Sequence, residues 1–267
     1  PTYSCQTELQ FVMSAGQGEF LRLVVAPGDA EEAYVAAQLA LDISWKYQIP
    51  AMLLTDKLMG EGAYSFDKNL VKEPKEFTKA AWSGQGEYKR YQDTDTGVSP
   101  MAFPSEKGAV VKVNSYEHDE SGITTERADI TTKMQDKRLR KEKDLRTDLE
   151  QCECVNIYGN KKSPTAILCW GSNKGVCIEV AQNLGIKVIQ PLVLMPFPAV
   201  QFKRALEGVN KLIAVESNAL GQLVKLIECH GFNVQNMVLK YDGRPFGIEE
   251  LEEKIGMLVV PSEEGSD

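Results

Sequence analysis

Side chains able to do chemistry follow two predicted strands. Thr55-Asp56-Lys57 comes directly after one apolar run and offers a carboxylate beside an ammonium group. Glu216-Ser217-Asn218, with Gly221 three residues on, follows a second run and offers a carboxylate and an amide. Ligands of α/β proteins bind at the carboxyl ends of parallel strands, so both stretches are candidate sites. The alternatives are an ordinary surface ion pair worth under about 1 kcal/mol for the first stretch and a helix cap for the second.

Glycine-rich stretches give no complete nucleotide-binding motif. Gly171 to Gly175 lies at a predicted strand-to-helix turn, where free backbone amides can hold an anion. It lacks the Gly-Lys-Ser/Thr ending of a phosphate loop, so we favour a tight turn capped by Ser172 or Asn173. The Gly-x-Gly pairs at 16–18 and 84–86 neither follow a strand nor open a helix. A free-standing nucleotide binder is therefore disfavoured.

Cysteine and histidine are too sparse for a self-contained metal or hydrolase site. The cysteines show no repeated Cys-x-x-Cys spacing, which predicts reduced thiols and no iron–sulfur or zinc site in this chain. They are Cys5, Cys152, Cys154, Cys169, Cys177 and Cys229. Two histidines, His118 and His230, give a Ser-His-Asp hydrolase little to work with. The stretch 117–120 (Glu-His-Asp-Glu) could bind a cation, although acidic loop clusters are usually solvated.

Composition excludes several classes of partner. The 267 residues hold 30 Lys+Arg against 38 Asp+Glu, a net charge of −8, which argues against nucleic acid or anionic membrane as the main partner. No apolar run approaches the ~18 residues that span a bilayer. The amino end has neither the basic nor the apolar region of a signal peptide, so we expect a cytoplasmic protein. Because the chain starts at Pro1 without a methionine, we also expect a processed, truncated or fused piece.

The elements that must position these residues fall into three parts, 1–60, 61–150 and 151–267. In the first part, apolar runs at 21–26 and 51–55 predict two parallel strands joined by a crossover helix. Asp29, with Glu32 three residues on, predicts the start of that helix. Its predicted buried face comprises Ala33, Ala36, Ala37, Ala40, Leu41 and Trp45.

The middle and last parts differ sharply in character. The middle part is a charged connecting segment, with a predicted strand at 109–116 and a solvated helix at 125–150. That helix has few apolar residues to bury, namely Ile130, Met134, Leu139, Leu145 and Leu149. The last part alternates strands at 166–170, 186–194, 211–215 and 237–240 with helices, including 218–230 and 248–255. Such alternation predicts a doubly wound parallel sheet.

Ordered motifs along nearly the whole chain resemble the 2-oxoacid:ferredoxin oxidoreductase α subunit, in its C-terminal portion. The first part carries Pro1-Thr2-x-x-x-Gln6, Ala26-Pro27-Gly28-Asp29 and Trp45 to Pro50, followed by Thr55-Asp56-Lys57. The middle adds Gly97-Val98-Ser99-Pro100 and Glu117-His118-Asp119-Glu120-x-Gly122. The last part adds Trp170-Gly171-Ser172-x-Lys174-Gly175, Pro196-Phe197-Pro198, Val215 to Leu223 and Tyr241 to Phe246.

The resemblance implies an α/β fold and an enzyme complex. The first part would be the second half of a thiamine-pyrimidine-binding domain, and the last a transketolase C-terminal-like domain. The implied reaction is a coenzyme A-dependent oxidative decarboxylation of a 2-oxoacid, with reduction of ferredoxin. This sequence lacks the Gly-Asp-Gly…Asn motif and the cysteine array. Thiamine diphosphate with Mg and the iron–sulfur cluster would therefore be held mainly by a β subunit, with a γ subunit a further partner.

One departure from the family concerns the implied substrate site, residues Thr2, Tyr3 and Gln6. The family often has Arg or Lys where this chain has Tyr3, and a cation there suits a substrate carboxylate. Tyr3 can donate one neutral hydrogen bond, so we expect the carboxylate to be held differently or the side-chain preference to have shifted. The alternative function is a non-catalytic scaffold subunit of a thiamine enzyme complex.

Overall fold

The computed structural model describes residues 3–71 and 76–259. The helices there are α1 (Leu9–Ser14), α2 (Ala30–Tyr47), α3 (Lys57–Glu61), α4 (Ala128–Leu149), α5 (Lys174–Leu184), α6 (Ala199–Ala205), α7 (Gln222–Cys229) and α8 (Ile248–Val259). The strands are β1 (Leu23–Val25), β2 (Ala51–Leu53), β3 (Val155–Gly159), β4 (Thr165–Leu168), β5 (Lys187–Pro191), β6 (Val193–Met195), β7 (Lys211–Glu216) and β8 (Asn236–Leu239). None of the helices in these ranges is both long and apolar enough to cross a bilayer.

The first sheet has the order β2-β1-β6. Strands β1 and β2 are parallel and α2 connects them, which confirms the predicted strand-helix-strand unit. Strand β6 runs antiparallel to β1 although it belongs to the last part of the sequence. The single strand predicted at 186–194 is therefore wrong: β5 and β6 lie in different sheets. At their junction the N–H groups of Leu192 and Val193 both donate to the Cys154 carbonyl, at 2.9 and 3.2 Å, directly before β3, and the chain passes there from the second sheet to the first.

The second sheet has the order β3-β5-β4-β7-β8. Four of its strands are parallel, as the alternating pattern predicts, and β3 adds an antiparallel edge that the sequence analysis missed. Apolar cores cover both faces, with α6 and α7 residues on one and α5 and α8 residues on the other. The sheet therefore has the doubly wound layering that places strand ends along one open edge.

Helix α2 buries a different face from the predicted one. Ala36 and Ala40 are buried as expected, but Leu41 is 63% exposed and Trp45 is 43% exposed. The residues that pack against the first sheet are Ala36, Leu39, Ala40, Ile43 and Tyr47. Helical spacing is compatible with burial of either face. Packing against β1 and α4 selects the face with Leu39, Ile43 and Tyr47.

The charged middle part forms one long helix, but no strand at 109–116. Val110 and Val113 alternate as a strand would, yet they are 83% and 64% exposed, with no sheet to pair with. Helix α4 forms as predicted and packs against α2. Its buried stripe includes Lys137 and Lys141 as well as apolar residues, so a solvated helix is the wrong description of that face.

Candidate functional site

The segment Tyr3–Glu8 crosses the carboxyl ends of the second sheet and is fixed there by Gln6. The Gln6 backbone N–H donates to the Ser217 carbonyl at 2.8 Å, beyond the end of β7. Its side-chain nitrogen donates to the Trp170 carbonyl at 2.7 Å, beyond the end of β4. Its side-chain oxygen accepts from Asn173 Nδ2 and from the Ser217 N–H, both at 2.9 Å. Gln6 therefore joins this segment to two strand ends at once.

These contacts bear on the predicted substrate residues. Gln6 is 4% exposed and its amide is engaged with protein groups, which favours a positioning role. Tyr3 is 68% exposed and lies on the surface of the segment. Thr2 lies outside the described residues. A direct substrate contact by Gln6 or Tyr3 stays a prediction.

The carboxylate at the end of β7 is a helix cap. Glu216 is fully buried, and its oxygens accept from the backbone N–H groups of Leu223 at 2.8 Å and Val224 at 3.1 Å. Trp170 Nε1 and Asn218 Nδ2 donate to the same carboxylate at 3.3 Å and 2.8 Å. These donors occupy both oxygens of the carboxylate. Glu216 therefore caps the start of α7 and is not available as a general acid or base.

The turn at 171–173 is tight, as predicted, but neither Ser172 nor Asn173 caps α5 with its side chain. Ser172 Oγ donates to the Asp56 carboxylate in a short hydrogen bond. Asn173 Oδ1 accepts from Ser217 Oγ at 3.0 Å. Both side chains are used for contacts between elements distant in sequence, and these compete with local capping.

A cleft of about 380 Å³ opens between the end of β2 and the end of β4, and we call it the strand-end cleft. Its walls include Tyr3, Cys5, Asp56, Lys57 and Trp170. Asp56 accepts from the Met59 N–H at 3.2 Å and so caps α3. The predicted Thr55-Asp56-Lys57 stretch and the predicted Tyr3 thus meet in one cleft, although they are about fifty residues apart in the sequence.

A second cleft, which we call the outer cleft, lies beyond Tyr3 and Cys5 and measures about 350 Å³. Its other walls include Asn218 after β7 and Tyr241 and Asp242 after β8. No linear motif predicts this cleft, because the loop after β8 meets the amino-terminal segment only in the folded chain.

A partly buried ion cluster joins the two sheets. Lys174 Nζ contacts the Asp29 carboxylate and lies 2.8 Å from Glu32 Oε1. Burial by itself would lower the pKa of Lys174, but Glu32 and Asp29 raise it above its ordinary value, so the ammonium stays charged. Tyr158 Oη also donates to Glu32 at 2.8 Å, and burial together with this carboxylate raises the pKa of Tyr158.

The same cluster shows how the start of α2 is built. Asp29 accepts from the Glu32 N–H at 2.8 Å, which confirms the predicted cap. The Glu32 side chain reaches back to the Gly28 N–H at 2.7 Å, one residue earlier than a standard capping box. A Cβ on Gly28 would lie 2.5 Å from the Cβ of Lys174, so this close approach requires glycine.

The acidic stretch at 117–120 is engaged in ion pairs. Glu117 lies 2.5 Å from Arg138, and Glu120 lies 2.7 Å from Lys133. Burial acts to raise the pKa of Glu117, but the Arg138 guanidinium outweighs it and holds that pKa below its ordinary value. Across residues 3–71 and 76–259, no group of three or more His, Cys, Asp or Glu side chains is placed to hold a metal ion. None of the six cysteines, all of which lie in the described ranges, forms a disulfide.

The sequence and fold are similar to those of known oxidoreductase subunits. The family model described as pyruvate flavodoxin/ferredoxin oxidoreductase, thiamine diP-binding, matches residues 1–137. The 2-oxoacid:ferredoxin oxidoreductase 1 subunit alpha of Sulfurisphaera tokodaii is 34% identical over 261 residues, covering 96% of this chain and 41% of that one. The corresponding alpha subunit of Saccharolobus solfataricus is also 34% identical, over 98% of this chain and 43% of that one.

A solved structure supports the same relationship. The 2-oxoglutarate:ferredoxin oxidoreductase from Magnetococcus marinus, with 2-oxoglutarate, coenzyme A and succinyl-CoA bound, matches with a TM-score of 0.79 and 26% identity. The match covers 96% of this chain and 46% of that one. The chain therefore spans less than half the length of these relatives.

Proposed function

Because the chain belongs to the 2-oxoacid:ferredoxin oxidoreductase family, we propose that it supplies one wall of a 2-oxoacid site in a multi-subunit enzyme of the cytoplasm. The proposal rests on one observation: Tyr3, Cys5 and Gln6, which continue the family motif begun at Pro1, and the stretch Thr55–Lys57 line the same strand-end cleft. In α/β folds this is the edge where ligands bind.

The proposed reaction is an oxidative decarboxylation. The bond between the carboxylate and the keto carbon breaks, CO₂ leaves, and the acyl carbon forms a bond to the sulfur of coenzyme A. Two electrons pass singly to two ferredoxins, and the thiol proton is released. Thiamine diphosphate supplies the carbanion stabilisation for this chemistry when bound. The part proposed for this chain is to bind and orient the 2-oxoacid and to exclude water from one side of it.

The described residues do not fit the diphosphate–metal end of that cofactor. They bring together no set of metal-ligating side chains, and Lys57 is the one cation among the described walls of the strand-end cleft. We therefore propose that a β subunit holds the diphosphate, the Mg ion and the iron–sulfur cluster, with a γ subunit a further partner. Residues 1–60 would form the second half of the pyrimidine domain and 61–150 a connecting segment. Residues 151–267 would form a transketolase C-terminal-like domain.

The decisive experiment is to co-express the chain with its candidate β subunit and to purify the complex under native conditions. Mass spectrometry identifies every chain, and coenzyme A-dependent dye reduction is measured with a panel of 2-oxoacids. We expect co-purification and turnover that requires both coenzyme A and a 2-oxoacid. A complex that assembles and is loaded with thiamine diphosphate, but reduces no dye with any 2-oxoacid, would refute the proposal.

The second candidate is a scaffold subunit that contacts no substrate. The engagement of the Gln6 amide by protein groups favours it, because this residue of the implied substrate site serves the fold. The two candidates differ in what Tyr3→Phe does. If Tyr3 contacts substrate, removing its hydroxyl lowers kcat/KM without changing assembly. An unchanged kcat/KM across the 2-oxoacid panel removes the Tyr3 hydroxyl from the site.

A further inference from the structure

Tyr3 stands between two clefts. The strand-end cleft and the outer cleft have similar volumes, about 380 and 350 Å³, and both include Tyr3 and Cys5 in their walls. Cys5 and Tyr3 are the residues that the two walls share, so the Tyr3 ring lies where the clefts adjoin. Its size then determines how much of the second cleft is open to a ligand in the first.

The position of Tyr3 is set by the loop after β8. A Cβ built on Gly243 would lie 2.9 Å from the Cβ of Tyr3, closer than real Cβ contacts allow, and 3.0 Å from its Cγ, which is a tight contact. Gly243 also has a φ of +79°, in the left-handed region that favours glycine. Tyr3 is therefore seated directly on the backbone of residue 243. Any side chain at 243 would displace it.

The segment that carries Tyr3 is anchored on its other side by Gln6 and by Gln222, whose side-chain nitrogen donates to the Thr7 carbonyl at 2.7 Å. The chain directly after Cys5 is thus held to the ends of β4 and β7 and to the start of α7. The exposed ring of Tyr3 projects from this anchored segment, so its effect on the clefts comes from its size.

We propose that the Tyr3 ring is a specificity-determining partition that limits the side-chain length of the 2-oxoacid, and that Gly243 is its positioning residue. This inference rests on the proposed function. A 2-oxoacid bound in the strand-end cleft with a longer side chain would extend toward Tyr3. Removing the ring would join the two clefts and admit that side chain.

The test uses the assembled complex and a series of 2-oxoacids of increasing length, from pyruvate to phenylpyruvate. We expect Tyr3→Ala to raise the kcat/KM of the longest acid relative to the shortest by about tenfold or more, since one or two methylene groups in a pocket discriminate by that factor. Gly243→Ala should shift the ratio in the same direction. Tyr3→Phe retains the ring and should keep the wild-type ratio, whatever its effect on the absolute rates. An unchanged ratio in Tyr3→Ala would overturn the inference.

A second measurement does not depend on turnover. Cys5 lines both clefts, so its alkylation by a small reagent, iodoacetamide, and by a bulky maleimide reports how open they are. Peptide mass spectrometry separates Cys5 from the other thiols. We expect the ratio of bulky to small reagent rates to rise in Tyr3→Ala and to stay unchanged in Tyr3→Phe. If the complex turns over no 2-oxoacid, the proposed function fails and this ratio alone decides whether Tyr3 is a partition.

Discussion

Replacing Lys137 by Met should stabilise the protein. Lys137 is 5% exposed within the buried stripe of α4, close to the cations Arg90 and Arg138. The nearby carboxylate, Asp93, is already engaged by Arg140 at 2.9 Å. Burial, reinforced by these cations, lowers the pKa of Lys137 from 10.5 to about 8. Folding therefore places an ammonium group where its charge is poorly compensated.

The magnitude follows from that shift. A pKa difference of about 2.5 units corresponds to about 3.5 kcal/mol at roughly 1.4 kcal/mol per unit, an upper bound for the gain at pH 7. Methionine keeps a long unbranched side chain and removes the charge, so we expect the free energy of unfolding to rise by about 1–3 kcal/mol. Lys143→Met, at an exposed position of the same helix, is the control and should change stability by less than about 0.5 kcal/mol.

The stability difference between Lys137→Met and the wild type should depend on pH. Below about pH 8, Lys137 is protonated in both folded and unfolded chains, and the full cost of burying the charge is present. Between about pH 8 and 10.5 the unfolded chain binds more protons, so wild-type stability increases with pH in that window. The advantage of Lys137→Met should therefore be largest at pH 7 and shrink toward pH 10.5.

Urea unfolding of the full chain at several pH values, followed by tryptophan fluorescence, measures both quantities. A Lys137→Met variant that is less stable than wild type at pH 7 would refute the reasoning. An advantage equal at pH 7 and pH 10 would refute it as well. Lys141 offers an internal check: Lys137 contributes to lowering the pKa of Lys141 to about 7, so that pKa should rise in the variant.

Three further predictions concern the partly buried ion cluster and the strand-end cleft. Lys174→Met leaves the Asp29 and Glu32 carboxylates without their cation, so we expect thermal unfolding to report a loss of about 3–5 kcal/mol; an unchanged Tm would contradict a charged cluster. Gly28→Ala places a Cβ 2.5 Å from the Cβ of Lys174 and should lower stability by about 1–3 kcal/mol in the same assay. Unchanged stability would show that the starts of α2 and α5 can move apart without cost. Lys57→Met should raise the KM for 2-oxoacids about tenfold with little change in kcat, while Lys57→Arg keeps it low; equal KM values in both variants would exclude a charge contact.

Local sequence patterns predicted the elements well where one signal dominated. The apolar runs around 21–26 and 51–55, the Asp29 cap and the long charged helix at 125–150 all correspond to elements in the structure. Four parallel strands of the second sheet follow from the alternation of apolar runs and helical segments. The ordered motifs identified the family. These features depend on residues near one another in the chain, so a linear pattern contains the information.

Contacts between distant segments decided the rest. Helical spacing in α4 could not reveal that Lys137 and Lys141 are buried, or that Lys141 donates to the Tyr47 carbonyl at the end of α2, because lysines are usually surface residues. The apolar run at 186–194 supplies β5 to one sheet and β6 to the other, so its division depends on pairing with strands that are distant in the sequence. The side-chain contacts between Ser172 and Asp56 and between Gln6 and Asn173 each join residues more than a hundred positions apart along the chain.

The sequence by itself determined the family, the α/β class and the residue types available for chemistry. Only the tertiary structure decided which of those residues share a cleft and which are engaged by the fold. The physical reason is that a side chain's period and chemistry are local properties. Its burial, its hydrogen-bond partners and the shape of the space before it are set by segments brought together only on folding.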